Sequence, residues 1–260
     1  MPNSLKASGR RVFHRKYFSP IELSGLEAHH DASDTGTITE SSNQVSQWND
    51  KTGNGWHLTQ GNSSLQPLTN TVTINGLNTI LFDNSDDQML ITGNPTTGSD
   101  DLSLFFVVKQ TAIPVNSAWL FSAGSGSSRF LAHAPWTEGE FYFDVGGTQP
   151  PNRIFDAGVN VTAGEELISN FVVEFGASPN GKQQIWKNGS VLVEDDSGET
   201  FTRGPNMVIG VKSDLAIGEF LLIHGIVTQS DRQKIEGYLA HKWGQTASLP
   251  AGHPYKTIAP

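Results

Sequence analysis

The stretch Leu102–Gln110 reads LSLFFVVKQ and places apolar side chains on both faces of an extended chain. A strand with two apolar faces is typical of the centre of a sheet, where neighbouring layers cover both sides. Four further segments show strand patterns bounded by Gly, Pro, Asn or Ser: 140–145 (EFYFDV), 167–175 (LISNFVVEF), 207–212 (MVIGVK) and 217–226 (IGEFLLIHGI). Shorter strands are predicted at 45–48, 79–82, 89–91, 118–122 and 130–133.

Residues 183–193 give the clearest hairpin. The segments QIWK and SVLV flank Asn188-Gly189, the pair that two-residue type I′ turns prefer. Many short strands at intervals of about 8–12 residues indicate an antiparallel sandwich or barrel. The chain shows no internal repeat and no linker, so we expect one domain.

Composition removes several classes of protein. Of 260 residues only 17% are charged, which is too few for a helical bundle, and 14 Phe with 6 Trp are too much aromatic surface for a disordered chain. The absence of cysteine excludes disulfides, thiol nucleophiles and cysteine-bound zinc. No apolar run approaches the ~18 residues of a membrane-spanning helix, so we expect no membrane insertion.

One helix is predicted near the end of the chain. Residues 230–233 (SDRQ) have the spacing of a capping box, and Gly244 stands where a C-terminal cap glycine belongs. Between them one apolar stripe recurs at helical spacing, formed by Ile235, Tyr238, Leu239 and Trp243. We expect this stripe to pack on the sandwich.

Charge divides the chain into a basic start and an acidic body. Residues 1–17 hold five Lys or Arg and no acid, whereas the rest holds 12 basic and 26 acidic residues. The acidic body would repel phosphates, so we expect no nucleic-acid partner. Residues 1–20 are predicted to be an arm, either a solvated tail or an anchor that orders on a partner, and 21–260 the domain. Apolar and aromatic residues favour the anchor, whose candidate contacts are Arg10, Arg11, Phe13, Arg15, Tyr17 and Phe18. The polar, basic start has no apolar core, so we expect no signal peptide.

Aromatic and polar residues in loops suggest a carbohydrate site, because a flat ring stacks on the apolar face of a sugar. Trp56 follows a glycine and Trp136 a proline, both outside the predicted strands. His133 lies close to Trp136, and Asn152 with Arg153 would supply amide and guanidinium donors. The alternative is that a loop tryptophan plugs the edge of the sandwich.

Metal and catalytic signals are weak. Asp83, Asp86 and Asp87 offer the hard oxygen ligands of calcium, although aspartates are also common turn residues. His29 and His30 are neighbours on a predicted strand and point to opposite faces, so they cannot hold one metal together; we expect one to be buried and one exposed. The chain has neither a Gly-x-Ser-x-Gly elbow nor a His-Glu-x-x-His pair, and no strand carries the carboxylate pattern of the jelly-roll glucanases.

Four segments carry a resemblance to a known family: 25–34 (GLEAHHDASD), 45–60 (VSQWNDKTGNGWHLTQ), 81–87 (LFDNSDD) and 230–255, with its EGYLAHKWG and LPAGHPY elements. Their order resembles laminin-G-like domains of the concanavalin A-like jelly-roll class, of the type carried by tailed-phage or gene-transfer-agent-like structural proteins. The resemblance extends over 21–256. The sequence departs from it at His29-His30, where Leu or Trp is usual.

The resemblance implies an all-β fold, a two-sheet antiparallel jelly-roll sandwich with one C-terminal α-helix. It implies a non-enzymatic virion surface protein, a head spike, decoration or tail-fibre component assembled in the host cytoplasm. The arm would bind capsid or tail proteins and the loops host cell-surface glycans, with no cofactor beyond the possible calcium. Because one such site binds weakly, we expect a homo-oligomer. Two alternatives stay open: a structural decoration protein without ligand, and a polysaccharide-degrading jelly-roll enzyme.

Overall fold

Two antiparallel sheets face each other across one apolar core. The computed structural model describes residues 17–97, 101–113, 117–123, 129–136, 139–148, 152–156, 158, 160–174, 181–196 and 204–260. The strands, in chain order, are β1 Leu26–Asp31, β2 Ile38–Ser41, β3 Gln44–Trp48, β4 Leu58–Thr59, β5 Thr73–Ile74, β6 Leu77–Asn78, β7 Ile80–Asp83, β8 Met89–Thr92, β9 Leu102–Gln110, β10 Ala118–Ala123, β11 Arg129–His133, β12 Phe141–Val145, β13 Arg153–Asp156, β14 Glu166–Glu174, β15 Lys182–Lys187, β16 Ser190–Asp195, β17 Asn206–Val211 and β18 Asp214–His224. Within the described ranges one α-helix, α1 (Gln229–Trp243), follows β18, and four short 3₁₀ turns span Pro20–Glu22, Thr35–Thr37, Ser63–Leu65 and Thr246–Ser248.

The larger sheet has nine strands in the order β13-β12-β11-β10-β17-β8-β4-β3-β2. The second has seven, in the order β1-β18-β9-β14-β15-β16, with β7 also pairing with β18, and β5 and β6 form a separate two-stranded ribbon. β9 lies between β18 and β14, as its two apolar faces predict, and both pairings are antiparallel. This architecture confirms the predicted all-β jelly-roll sandwich with one C-terminal helix. In the described part of the chain, no helix is both long and apolar enough to cross a membrane.

Aromatic rings fill the space between the sheets. Trp119 is fully buried and its ring lies 5.6–6.1 Å, centroid to centroid, from those of Phe106, Phe141 and Phe171. These rings come from both sheets and meet at angles typical of edge-to-face packing. Trp186, in contrast, is only partly buried and does not lie in the core. The guanidinium of Arg232 stacks on its ring, 3.7 Å from the ring centroid.

The predicted hairpin at 183–193 is confirmed. Asn188 and Gly189 have φ angles of 51° and 81°, the left-handed pair that a type I′ turn requires. Gly189 also packs close to the C-terminal segment, since a Cβ there would lie 3.1 Å from Pro250 Cδ.

α1 begins earlier than the capping-box pattern indicated. Thr228 is the N-cap: its Oγ1 accepts from the Asp231 amide at 3.1 Å and donates to Asp231 Oδ2 at 2.9 Å. A cap at Ser230 is therefore wrong, because Thr228 forms the same Thr-x-x-Asp reciprocal arrangement one half-turn upstream. The C-terminus is as predicted, with Gly244 left-handed at φ 74°.

The apolar stripe of α1 packs on the outer face of the seven-stranded sheet, as predicted. Between them lies a second buried cluster that includes Phe105, Val107, Leu221, Ile235, Leu239 and Trp243. Two glycines permit the close approach. A Cβ on Gly218 would lie 2.8 Å from the Trp243 ring, and a Cβ on Gly237 would lie 2.4 Å from Tyr255 Cβ.

A buried carboxylate fixes α1 to the sheet. Glu219 on β18 has no exposed surface and receives Lys242 Nζ and Trp243 Nε1 at 2.7 Å and Tyr238 Oη at 3.0 Å. His29 Nε2 on β1 lies 2.7 Å from the same carboxylate. Buried charge is tolerated when its oxygens are satisfied in this way.

Both histidines of the His29-His30 pair are buried, so the expectation of one exposed ring is wrong. They do point to opposite faces. His29 lies under α1, while His30 enters the core between Trp48 and Phe220, and burial lowers its pKa to about 3. The expectation failed because a helix covers the outer face of β1.

The N-terminal segment joins the domain at Phe18. Its amide donates to the Pro260 carbonyl at 3.1 Å and its ring lies 6.2 Å from that of Tyr238, whereas Tyr17 is 61% exposed. Arg10, Arg11, Phe13 and Arg15 lie outside the described residues. An anchoring role for 1–20, and a domain boundary at 21, stay predictions.

Trp243→Ala should lower the free energy of unfolding by about 3–5 kcal/mol, because it removes a fully buried indole and one donor to Glu219. Urea denaturation measures the loss. Tyr17→Ala, at an exposed ring, is the control and should change stability by about 0.5 kcal/mol or less. A loss below about 1 kcal/mol for Trp243→Ala would show that the helix does not depend on this contact.

Stability should fall in acid through Asp31. Burial pushes the pKa of this carboxyl up, but Lys242 at 2.7 Å, with Ser33 and Lys51, outweighs burial and lowers it from 3.8 to about 2. A carboxyl group whose pKa is lowered by folding stabilises the fold at pH values above its pKa in the unfolded state. This stabilisation is lost as pH falls from about 4 to about 2. Asp31→Asn should therefore be less stable than wild type at pH 6, by about 2 kcal/mol, and the gap should close near pH 2. A gap that is constant with pH would contradict this.

Candidate functional site

The outer face of the nine-stranded sheet gathers three of the predicted site residues. His133 ends β11, Trp136 follows it, and Arg153 opens β13. The His133 and Trp136 ring centroids are 5.0 Å apart, and Arg153 Cζ lies 5.7 Å from the Trp136 centroid. Arg153 was expected in a loop, but it belongs to a short strand. Because the first residue of this strand is polar, the sequence does not show the apolar pattern of a strand there.

Two aromatic residues that sequence reasoning did not select extend this surface. Tyr142 and Phe155 are opposite each other in the β12–β13 register, with rings 5.1 Å apart and 9° from parallel. Arg153 Cζ lies 4.9 Å from the Tyr142 centroid, and Phe155 is 42% exposed. The alternating pattern of 140–145 (EFYFDV) indicates that Tyr142 lies on the outer face. Phe141 and Phe143 face the core, so the residue between them faces out.

Asp144 holds the two arginines of this face. It is fully buried and accepts from Arg129 Nε at 2.8 Å and also from Arg129 Nη2. It further accepts from Arg153 Nε at 2.5 Å and Arg153 Nη2 at 2.7 Å. These hydrogen bonds raise the pKa of Arg153, so its guanidinium stays charged and fixed in place beside the rings.

His133 is a buried, neutral hydrogen-bond acceptor. Its Nδ1 lies 2.8 Å from the Ser117 carbonyl oxygen, which can only accept, so Nδ1 carries the proton. Burial lowers the pKa of His133 to about 4. Nε2 is 3.9 Å from Asp144 Oδ2 and has no hydrogen-bond partner among the described residues.

Arg129, His133 and Trp136 border an open groove of about 360 Å³. It is lined by Ala118, Arg129, Leu131, His133, Trp136, Val211 and Lys212. Lys212 lies in the tight turn between β17 and β18 with a φ of 50°. The arrangement offers an aromatic ring, fixed cationic donors and one neutral acceptor on a single face.

The other predicted sugar-site residues lie apart from the groove lining. Trp56 is part-buried, donates from Nε1 to Glu27 Oε1 at 2.7 Å and packs near Gly93, which follows β8. Because β8 is three strands from β11, Trp56 does not share a surface with Trp136, and a sugar contact at Trp56 stays a prediction. Asn152 precedes β13 and packs against Gly147, where a Cβ would lie 2.7 Å from Asn152 Nδ2.

Asp83, Asp86 and Asp87 come together, with ligand atoms within 4.8 Å of one another. Turn hydrogen bonds account for part of the cluster: Asp83 Oδ1 accepts from the Ser85 amide at 2.9 Å, and Asp87 Oδ2 from the Asp83 amide at 3.2 Å. Burial, with Asp83 nearby, raises the pKa of Asp87 to about 7. Calcium binding here stays a prediction.

Sequence comparisons give no family: no family model and no curated protein matches the chain. Solved structures do match. The binding domain of Paraclostridial Mosquitocidal Protein 1 aligns with a TM-score of 0.58 at 9% identity, over 82% of this chain and 52% of that one. The botulinum neurotoxin serotype D ligand-binding domain in complex with N-acetylneuraminic acid aligns with a TM-score of 0.56 at 11% identity, over 82% and 50%. The botulinum neurotoxin DC binding domain in complex with rat synaptotagmin II gives 0.57 at 10%, over 83% and 52%.

These likenesses establish the fold and nothing finer, because identity is 9–11%. The chain spans about half the length of each of these neighbours. The sialic acid and the synaptotagmin are bound by the neurotoxin domains.

Asp144→Asn should destabilise the protein by about 3 kcal/mol or more, because it removes the buried charge that both guanidiniums contact. Thermal and urea unfolding measure the effect. Asp195→Asn, on the exposed edge strand β16, is the matched control and should be near neutral. Equal stabilities of the two variants would mean that the arginines do not depend on Asp144.

Proposed function

We propose that this protein is a non-enzymatic glycan-binding module whose site is the groove beside Trp136. The observation that carries the proposal is the combination of Trp136, Tyr142 and Phe155 with a guanidinium held against two of these rings by a buried carboxylate. The fold neighbours include domains solved with sugar ligands, which agrees with this use of the fold.

The chemistry of the face fits a sugar. Aromatic rings bind the apolar face of a pyranose by removing it from water, at about 25 cal/mol per Å². Hydroxyl groups need fixed donors and acceptors, and Arg153 and His133 supply one of each. Because the ion pairs with Asp144 fix Arg153 before binding, less side-chain entropy is lost when the ligand arrives.

The carboxylates near the groove do not suit glycoside hydrolysis. That reaction needs two carboxyl groups, one able to give a proton and one able to attack or activate water. Asp144 has both oxygens engaged by arginines, so it is not free to attack or to activate water. The other described carboxylate near this face, Glu140, lies close enough to Tyr142 that it adds to burial in raising the pKa of Tyr142. Glu138 lies outside the described residues. This arrangement supports binding rather than turnover.

The wider setting of the proposal is a phage or phage-like virion. The order of the sequence motifs supports it, as does a basic segment placed before an acidic domain. In this proposal residues 1–20 attach to capsid or tail proteins, the protein is a homo-oligomer at the virion surface, and the groove contacts host glycans. A single shallow site would bind near millimolar, and several copies would add about 10²–10⁴ in avidity.

A glycan array probed with a multivalent form of the protein tests the site. Trp136→Ala should reduce the signal at least tenfold, because it removes the ring that lines the groove. Trp56→Ala is the matched control, a part-buried loop tryptophan remote from the groove, and should retain binding. Circular dichroism checks that both variants fold.

Each other outcome has a defined meaning. Equal binding by both variants would place the site elsewhere. Absence of any binding by folded wild-type protein would favour a decoration protein without ligand. Release of new reducing ends from a bound polysaccharide would establish the enzyme instead.

A further inference from the structure

The groove is positively charged on an acidic protein. Its described lining contains Arg129 and Lys212 and no carboxylate, although the chain as a whole has a net charge of −9. Lys212 is exposed and forms no ion pair among the described residues. Lys212 and the Trp136 ring line the same groove, and a cation without an ion-pair partner in the described part of the chain favours an anionic ligand there.

Asp144 does not cancel this charge. One carboxylate serves two guanidiniums, so the three groups together keep one positive charge, and Lys212 adds another. The arginines use Nε and Nη2 on Asp144, which leaves Nη1 of each without a partner in the described part of the chain. Asp144 itself is fully buried, so a ligand meets the cations and not the carboxylate.

His133 adds a requirement for a hydroxyl group. Its Nδ1–H is committed to the Ser117 carbonyl, so Nε2 is an acceptor, and this atom is buried behind the groove lining without a partner in the described part of the chain. A fully deprotonated anion such as sulfate offers Nε2 no donor, whereas a sugar carries several hydroxyls. The ligand class that provides a ring face for Trp136, a hydroxyl donor and an anionic group is an acidic sugar.

We propose that the groove binds a carboxylate-bearing sugar, a uronic or similar acidic residue of a polysaccharide. The inference rests on the proposed glycan-binding function and adds its ligand class. The carboxylate lies between Arg129 and Lys212, the sugar ring on Trp136, and a hydroxyl donates toward His133.

The test compares a polyuronate oligosaccharide with the same oligosaccharide after its carboxyl groups are reduced to hydroxymethyl groups. The two ligands differ only at this position, which carries a carboxylate in one and a neutral hydroxymethyl group in the other. NMR titration of the full chain should give a dissociation constant about fivefold lower for the charged form, the size expected from two partly exposed ionic contacts. The preference should decrease as salt is raised from 0.05 to about 0.5 M, because screening weakens exposed charge pairs.

Lys212→Gln is the diagnostic variant, since it removes the positive charge and keeps a polar, unbranched side chain. We expect its preference to fall to about twofold or less, because the charged oligosaccharide should lose more affinity than the reduced one. Lys234→Gln removes an equal charge from α1, on the other sheet, and should behave as wild type.

The outcomes separate the two proposals. Equal affinity of wild type for both oligosaccharides would overturn the acidic-sugar assignment and leave the glycan site intact. No binding of either oligosaccharide, nor of any array glycan, would overturn both. A stronger preference for a sulfated analogue would replace the carboxylate by a sulfate ester, and loss of preference in Lys234→Gln would move the cationic contact away from the groove.

Discussion

Glu219 is fully buried on the outer face of β18, where donors from β1 and α1 converge on its two oxygens. Moving α1 away would leave this charge unpaired in an apolar surrounding, which costs several kcal/mol. The helix is therefore fixed over the seven-stranded sheet, and the outer face of that sheet is covered. On the opposite side of the sandwich, no described helix covers the outer face of the nine-stranded sheet at β11–β13.

A second buried carboxylate organises that open face in a different way. Asp144 is satisfied by Arg129 and Arg153 from the neighbouring strands β11 and β13, so no helix is needed to cover it. The aromatic rings beside it stay accessible as a result. The two carboxylates thus divide the molecule into a covered face, which stabilises the fold, and a pre-organised face, which is available to a ligand.

The motifs that carry the family resemblance lie away from the groove: 25–34 contains β1, 45–60 contains β3 and β4 at the far end of the nine-stranded sheet, and 230–255 contains α1. In the C-terminal motif, Gly237 makes room for Tyr255, and Glu236 accepts from Arg232 at 2.6 Å and lies 3.1 Å from His253 Nε2. The groove residues lie between the motifs, in 118–153 and 211–212. Motifs of this kind report the packing of the helix and the ends of the chain, and they carry no information about a ligand. This explains why the resemblance is specific for a fold and vague about function.

The sequence by itself determined the strand content, the central position of Leu102–Gln110, the hairpin at Asn188-Gly189 and the end of α1 at Gly244, because side-chain periodicity and turn stereochemistry act over a few residues. It also singled out Trp136, His133 and Arg153. Only the tertiary structure decided which of these meet, since strand register brings Tyr142 and Phe155 to the same surface and moves Trp56 away from it. The same holds for His29, whose outward position on β1 became buried when a helix about 200 residues later covered it. Contacts between segments so distant in sequence depend on the packing of whole sheets, which local pattern does not encode.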